Sequence, residues 1–248
     1  MSRGAQPMGY VDLHCHLLWA LDDGCETPGE TLAAARLLVA LGFSDAAPSP
    51  HAILGLPSGD PARSEARRGE ATELLAREGV PLALHANAEN RLDEEFMARA
   101  GGAERRGIGA QQRWALVEVP FEAPVPALAE LVFGLRRKGV SPLFAHPERC
   151  AEFERPGRAE EVVRLGGALQ LNVGALVGVY GRAARRLAER LVSEGLYAVA
   201  STDLHRPDGA REWLAEALAA LEKRAGPAGL ERLLAENPRR ILAGVDVA

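Results

Sequence analysis

The sequence predicts an α/β fold built on a mostly parallel sheet, and three observations carry that expectation. Short apolar runs alternate with helical segments from end to end of the 248 residues, the pattern of strands joined by crossover helices. That length suits one α/β barrel as well as two small domains, and no long linker divides it, so one domain over 1–248 is expected. Each of the seven apolar runs is also followed by polar or ionisable side chains, as where βα loops build the working face of a barrel.

The first run, Tyr10 to Leu13, leads into "HCHLLWALDDG". The next segment, "TPGETLAAARLLVALG", is a helix with Thr27 as N-cap, Pro28 at its first position, Glu30 completing a capping box and Gly42 as the stop. The second run, Gly42 to Ala47, ends in "APSPH". Residues 55–70, "GLPSGDPARSEARRGE", read as a surface loop because Gly, Pro and Ser cluster there, with helix resuming near Ala71. The third run is Val80 to Leu84 and the fourth Trp114 to Val119. Between them "AGGAERRGIGAQQ" (100–112) is irregular, and its GIG lacks the GxGxxG spacing and preceding strand of a dinucleotide fold. A helix over 125–139 leads into the fifth run, Ser141 to Ala145. Another over 181–195 connects the sixth, Ala168 to Val173, with the seventh, Tyr197 to Ser201; both helices close on glycine.

Composition narrows the classes of function. Hydrophobic residues make up 47% and charged residues 25%, ordinary for a globular protein with a sizeable core. The net charge of -5 argues against a nucleic-acid partner. No apolar stretch approaches the roughly 20 residues that span a bilayer, so no direct membrane insertion is expected. Cys15, Cys25 and Cys150 form no CxxC pair and no secretory leader opens the chain, which points to a reduced, cytoplasmic setting.

The strand exits carry the chemistry. In chain order they present His14 and His16 with Asp22 and Asp23, then His51, Glu89, Glu118, His146, Gln170 with Asn172, and Asp203 with His205. Taken singly, any of these is a turn former or helix cap; Asp22 fits that description best, and His85 reads as a packed or hydrogen-bonded core histidine. Taken together they form a set. His14 and His16 lie two apart, so on an extended strand both rings project to one side, with Cys15 pointing away as a small buried filler. Asp203 and His205 repeat that spacing at the far end of the chain. Imidazole and carboxylate without thiolate suit manganese, iron or zinc, and the donors outnumber the needs of one ion, so two or three are expected. Glu89 or Glu118 could bridge cations about 3.5–4 Å apart, an arrangement for hydrolytic phosphoester chemistry with a metal-activated water. Arg149, three residues past His146, could fork onto phosphate oxygens or pair with Glu148 or Glu152. "CAEFER" from Cys150 has the wrong spacing for a cysteine phosphatase, and neither a G-x-S-x-G elbow nor a P-loop is present.

The ordered blocks "DLHCHLL", "DDG", "SPH", "AEN", "VEVP", "AHPER", "LQLNVGALVG", "STDLH" and "NPRRILAG" resemble the polymerase-and-histidinol-phosphatase (PHP) superfamily. Within it the chain is most similar to the bacterial manganese-dependent protein tyrosine phosphatases of capsule and exopolysaccharide operons. The resemblance implies a distorted (β/α)7 TIM-like barrel with a trinuclear Mn2+ site. His14, His16, Glu89 and Asp203 would hold one ion, Glu89, Glu118 and His146 a second, and Asp23, His51 and His205 a third. It implies catalytic roles for Glu118, Asp203 and Arg149, with Arg149 binding phosphate and Arg206 or Arg211 supplying a further phosphate contact. The implied substrate is a phosphorylated bacterial tyrosine autokinase. Ser49 stands where relatives commonly carry threonine, and the 55–70 segment has no counterpart. The alternative is another PHP phosphoesterase, acting on histidinol phosphate, a nucleotide or a DNA end; a third reading keeps the metals for structure alone.

Overall fold

The computed structural model describes residues 9–102 and 104–247. The predicted alternation is present as strands β1 (Tyr10–Asp12), β2 (Phe43–Ala46), β3 (Ala83–Leu84), β4 (Glu89–Arg91), β5 (Trp114–Glu118), β6 (Ser141–Ala145), β7 (Ala168–Asn172) and β8 (Tyr197–Ser201). β1, β2 and β3 pair in parallel, as do β4 to β8 in sequence order. Two seams join these sheets into a distorted barrel. At one, Cys15 bridges Leu204, with the His16 amide donating to the Leu204 carbonyl at 2.8 Å. At the other, His51 bridges Glu89, and the Ala52 amide donates to the Glu89 carbonyl at 2.8 Å.

Around the barrel lie α1 (Pro28–Ala40), α2 (Pro61–Arg77), α3 (Glu94–Arg99), α4 (Leu128–Arg137), α5 (Ala151–Glu154), α6 (Arg158–Arg164), α7 (Gly181–Ser193), α8 (Ala210–Glu231) and α9 (Asn237–Leu242). The Thr27 hydroxyl accepts from the Glu30 amide at 3.2 Å, as its sequence predicts for the start of α1.

Two local expectations change. The run Val80 to Leu84 pairs only over Ala83–Leu84, and Glu89 stands not in a loop after it but at the head of an extra strand, β4, opposite Leu116. Glu-Asn-Arg has no apolar alternation to announce a strand. It is held by the buried Asn90, whose amide donates to the carbonyls of Ala88, Arg106 and Leu116. The second change is the 55–70 segment, which is already helical from Pro61. Asp60 caps it by accepting from the Ala62 amide at 2.9 Å. Only Ser64, Ala71 and Leu75 of α2 are buried, too sparse a stripe to register as helical periodicity.

Two apolar layers fix the strands. Inside the barrel Val11, Leu13, Leu116, Leu143 and Val199 meet Ile241 of α9, which plugs one end. Outside, Val117, Phe144 and Leu171 belong to a larger apolar layer that also takes in Leu38 and Leu191 of the helices. Each such side chain contributes about 1.5–3 kcal/mol on burial. On β5 the alternation of Leu116 inward and Val117 outward returns Glu118 to the inner side.

Candidate metal centre

The barrel closure brings all nine predicted ligands together. His14 and His16 leave β1 with their Nε2 atoms 3.4 Å apart, while Cys15 is buried in the outer core. Asp203 follows β8 and sets its Oδ1 3.2 Å from His14 Nε2 and 3.5 Å from His16 Nε2. Glu89 lies at the middle: its Oε2 is 3.3 Å from His14 Nε2, 3.5 Å from His16 Nε2 and 3.1 Å from His51 Nδ1. Its Oε1 is 3.0 Å from His146 Nε2, and Glu118 approaches the same nitrogen at 3.9 Å. Asp23 Oδ1 lies 3.4 Å from His51 Nε2 and 3.5 Å from His205 Nε2.

Unusual backbone holds this convergence. Asp203 and His146 adopt left-handed φ values of 53° and 32°, conformations uncommon for side chains of their kind and concentrated at functional sites. Gly24 of "DDG" packs so closely that an added Cβ would meet the His16 carbonyl oxygen at 2.3 Å. The buried Asp12 ties β1 to the exit of β8, accepting from the Thr202 hydroxyl at 2.5 Å and the Thr202 amide at 3.1 Å.

A second set of side chains orients the first. Gln170 Oε1 meets His14 Nδ1 at 3.0 Å and Asp22 Oδ2 meets His16 Nδ1 at 2.8 Å. Both imidazoles therefore donate from Nδ1 and present Nε2 to the carboxylates, the nitrogen a metal would take in place of a proton. Asp22 is thus more than the turn former its sequence suggests: it also accepts from the His51 amide at 3.0 Å and the Gly24 amide at 3.1 Å. Asn172 donates to Asp203 Oδ2 at 2.7 Å. Glu148 of "AHPER" is structural, accepting from the Asn172 amide and the Tyr197 hydroxyl at 2.9 and 2.8 Å. His85 is half-buried and hydrogen-bonded to Asp45 at 2.8 Å, away from the centre.

Arg149 pairs with neither Glu148 nor Glu152. Its Nη1 donates to Asp203 Oδ2 at 3.0 Å, and its guanidinium lies between the rings of Phe121 and Tyr180, 4.6 and 4.5 Å from their centroids. Sequence reasoning missed both rings; "VPFEAP" after β5 and "VGVY" after β7 were the available signals. Arg206 turns instead to Glu26 at 2.6 Å, and Arg211 is exposed in the first turn of α8.

The imidazoles and carboxylates shift one another strongly. Burial alone would lower the His14 imidazole, but Glu89 and Asp203 outweigh it and raise it to about 9. His51 is likewise opposed by burial yet raised to about 10 by Asp23 and Glu89. Glu89 and Asp203 resist burial and stay well below the usual carboxylate range because of the surrounding imidazoles. Glu118 goes the other way, pushed up by burial and by the charge of Glu89. The donors also form four overlapping groups, each with its ligand atoms within 4.8 Å of one another. Nitrogen and carboxylate-oxygen donors at 3.0–3.5 Å separations match neighbours sharing an ion at about 2.1 Å. The residues fit borderline divalent metals.

Comparison with known proteins identifies the family. The family model for capsular polysaccharide synthesis, CpsB/CapC, matches residues 10–243. The tyrosine-protein phosphatase YwqE of Bacillus subtilis (strain 168) is 32% identical over 234 residues, covering 94% of this chain and 91% of YwqE. CapC of Staphylococcus aureus is 24% identical over 196 residues, 79% of this chain and 76% of its own. Among solved structures, a chain from the crystal structures of YwqE from Bacillus subtilis and CpsB from Streptococcus pneumoniae, described as unique metal-dependent tyrosine phosphatases, superposes with a TM-score of 0.87. It is 28% identical, with 96% of both chains covered. A dihydroorotase matches at a TM-score of 0.55 with 14% identity over 95% of this chain and 70% of its own, a likeness of fold alone.

Proposed function

The chain belongs to the CpsB/CapC family of capsular polysaccharide synthesis, and we propose that it is a metal-dependent tyrosine phosphatase whose substrate is a phosphorylated bacterial tyrosine kinase in the cytoplasm. The observation that carries this reading is the convergence of nine imidazole and carboxylate side chains around Glu89, with a braced arginine beside them.

Three Mn2+ ions are assigned as follows. His14, His16, Glu89 and Asp203 would hold one, Glu89, Glu118 and His146 a second, and Asp23, His51 and His205 a third. When bound, such ions polarise a phosphoryl oxygen and bring the pKa of a water toward neutrality. Arg149 supplies the phosphate contact. Its stacking between Phe121 and Tyr180 restricts the guanidinium plane, so less freedom is lost when it meets two phosphate oxygens. Asp203 divides its oxygens, Oδ1 toward the histidines and Oδ2 toward Arg149 and Asn172, and thereby links phosphate orientation to the metal ligands. Glu118, 3.9 Å from His146 Nε2, would act in catalysis through the second ion that it helps to hold. Phe121, 39% exposed and beside His146, offers a face for the phenol ring of the substrate. No cysteine competes as nucleophile: burial raises Cys15, Cys25 and Cys150, Cys25 to about 11, so none forms a ready thiolate.

The test strips the protein with chelator, reloads it with manganese, and measures phosphate release from a phosphotyrosine peptide and from histidinol phosphate side by side. Chelator-sensitive release from the peptide alone is expected. Release from histidinol phosphate alone would overturn the tyrosine phosphatase assignment, and release from neither would overturn the enzymatic reading.

A further inference from the structure

Beside the metal centre lies a cavity of about 700 Å3 whose lining includes Arg68, Arg99, Arg105 and Arg106. It sits between α2 and the segment after β4, over the seam where the two sheets meet. Its acids are at the mouth and its guanidiniums inside: the Glu95 side chain is 47% exposed while that of Arg99 is 13% exposed. Glu65 is occupied by Arg68 and is likewise exposed, as is Glu104.

Two of the arginines are left with incompletely matched guanidiniums, although Asp93, Glu95 and Glu104 lie near Arg99 and Asp60 near Arg106. Arg99 donates through Nη2 to Asn90 at 2.9 Å and lies 3.9 Å from Glu95 through Nε, but its buried Nη1 has no hydrogen-bond partner. Arg106 donates only to neutral oxygens, the Ser58 carbonyl and the Ser64 hydroxyl at 3.0 Å. No carboxylate pairs with it among the described residues. Burial and the charge of Arg99 push its guanidinium down to about 10, so the two repel one another and an anion between them would relieve both. Buried charges ordinarily find a partner, and guanidinium forks suit phosphate.

We propose that this cavity is a second anion site that takes a phosphate group carried on a small organic body, bound by Arg99 and Arg106. The volume selects the body, since cavities of about 300–1,000 Å3 enclose molecules much larger than bare phosphate. Leu18, Pro48 and Ala52 provide an apolar wall for it. That wall is shared with the metal centre: Ala52 follows His51, and Asn87, also in the lining, donates to the carbonyl of Leu13 just before His14. Arg99 reaches Asn90, the neighbour of Glu89. The phosphate could belong to a free metabolite or to a second phosphotyrosine of the same substrate segment; the site chemistry is common to both. The proposal does not depend on the phosphatase reading.

Phenylphosphonate, which is not hydrolysed, is titrated calorimetrically into the manganese-loaded protein. Two bound per chain are expected, falling to one in Arg99→Met, with melting temperature and metal content retained; Arg99→Lys, which restores charge, should recover part of the second site. Two phosphonates bound by a protein inactive on phosphotyrosine would support this site while refuting the phosphatase reading. A phosphonate stoichiometry that is the same in wild type, Arg99→Met and Arg106→Met, whether one or two, would overturn the proposal. The source is read from kinetics. A KM at least tenfold lower for a doubly than for a singly phosphorylated peptide, lost in Arg99→Met, supports a second phosphotyrosine. Equal KM values with two phosphonates bound support a free phosphorylated molecule.

Discussion

Gln170 and Asp22 sit behind the metal centre, each accepting from the inner nitrogen of a histidine whose outer nitrogen faces Glu89 and Asp203. Partners of this kind set tautomer and ring angle, and their loss weakens metal affinity about 10- to 100-fold. Gln170→Ala and Asp22→Ala should show that loss in competition against a calibrated chelator; unchanged affinity in both would contradict the orienting role. Arg149→Ala should retain metal but lower kcat/KM about tenfold to a hundredfold, the worth of about 1.5–3 kcal/mol for a charged hydrogen bond. Arg149→Lys should not restore it, because a lysine lacks the fork and the planar stack. The raised histidines give the metal-free protein a pH dependence of definite sign. His14 and His51 titrate near 9 and 10 when folded against about 6.5 when unfolded, so their contribution is complete below about 6.5 and is lost as pH rises through 9 to 10. The melting temperature of the stripped protein should fall across that window, and manganese should flatten the fall. A stripped protein whose melting temperature rises there would refute this electrostatic account.

Among the elements, the DDG turn and β4 show what is legible in a chain and what is not. The turn is legible in part: two aspartates after HxH announce a ligand, but only the packed structure shows that Gly24 has no room for a Cβ against the His16 carbonyl. Gly24→Ala should cost about 1–3 kcal/mol from overpacking against His16, read in denaturant unfolding; an unchanged stability would contradict that close fit. The seven apolar runs were readable because buried parallel strands are hydrophobic along their length. β4 was not, because its stability comes from the amide of Asn90 bonding three carbonyls rather than from apolar alternation. The start of α2 was hidden for a related reason: Asp60 and Pro61 announce a helix, but its few buried positions do not. Phe121 and Tyr180 escaped because stacking on Arg149 is a relation between three distant stretches, with no spacing rule along the chain.

At the scale of the whole molecule the metal centre and the barrel closure are one construction. The β1–β8 seam carries His14, His16 and Asp203, and the β2–β4 seam carries His51 and Glu89. Cations binding across both seams should stabilise the folded chain as any ligand specific to the native state does, with hydrogen-exchange protection gained first at 12–16, 50–52, 88–90 and 202–205. On the proposed function, these nine side chains hold the ions on which turnover depends. The most direct measurement takes wild type and Asp203→Ala through metal analysis and phosphotyrosine-peptide hydrolysis on the same preparations. Two or three ions per wild-type chain are expected, with activity proportional to their content, and Asp203→Ala should lose both. Wild-type turnover in a chain shown to carry no metal would contradict that dependence.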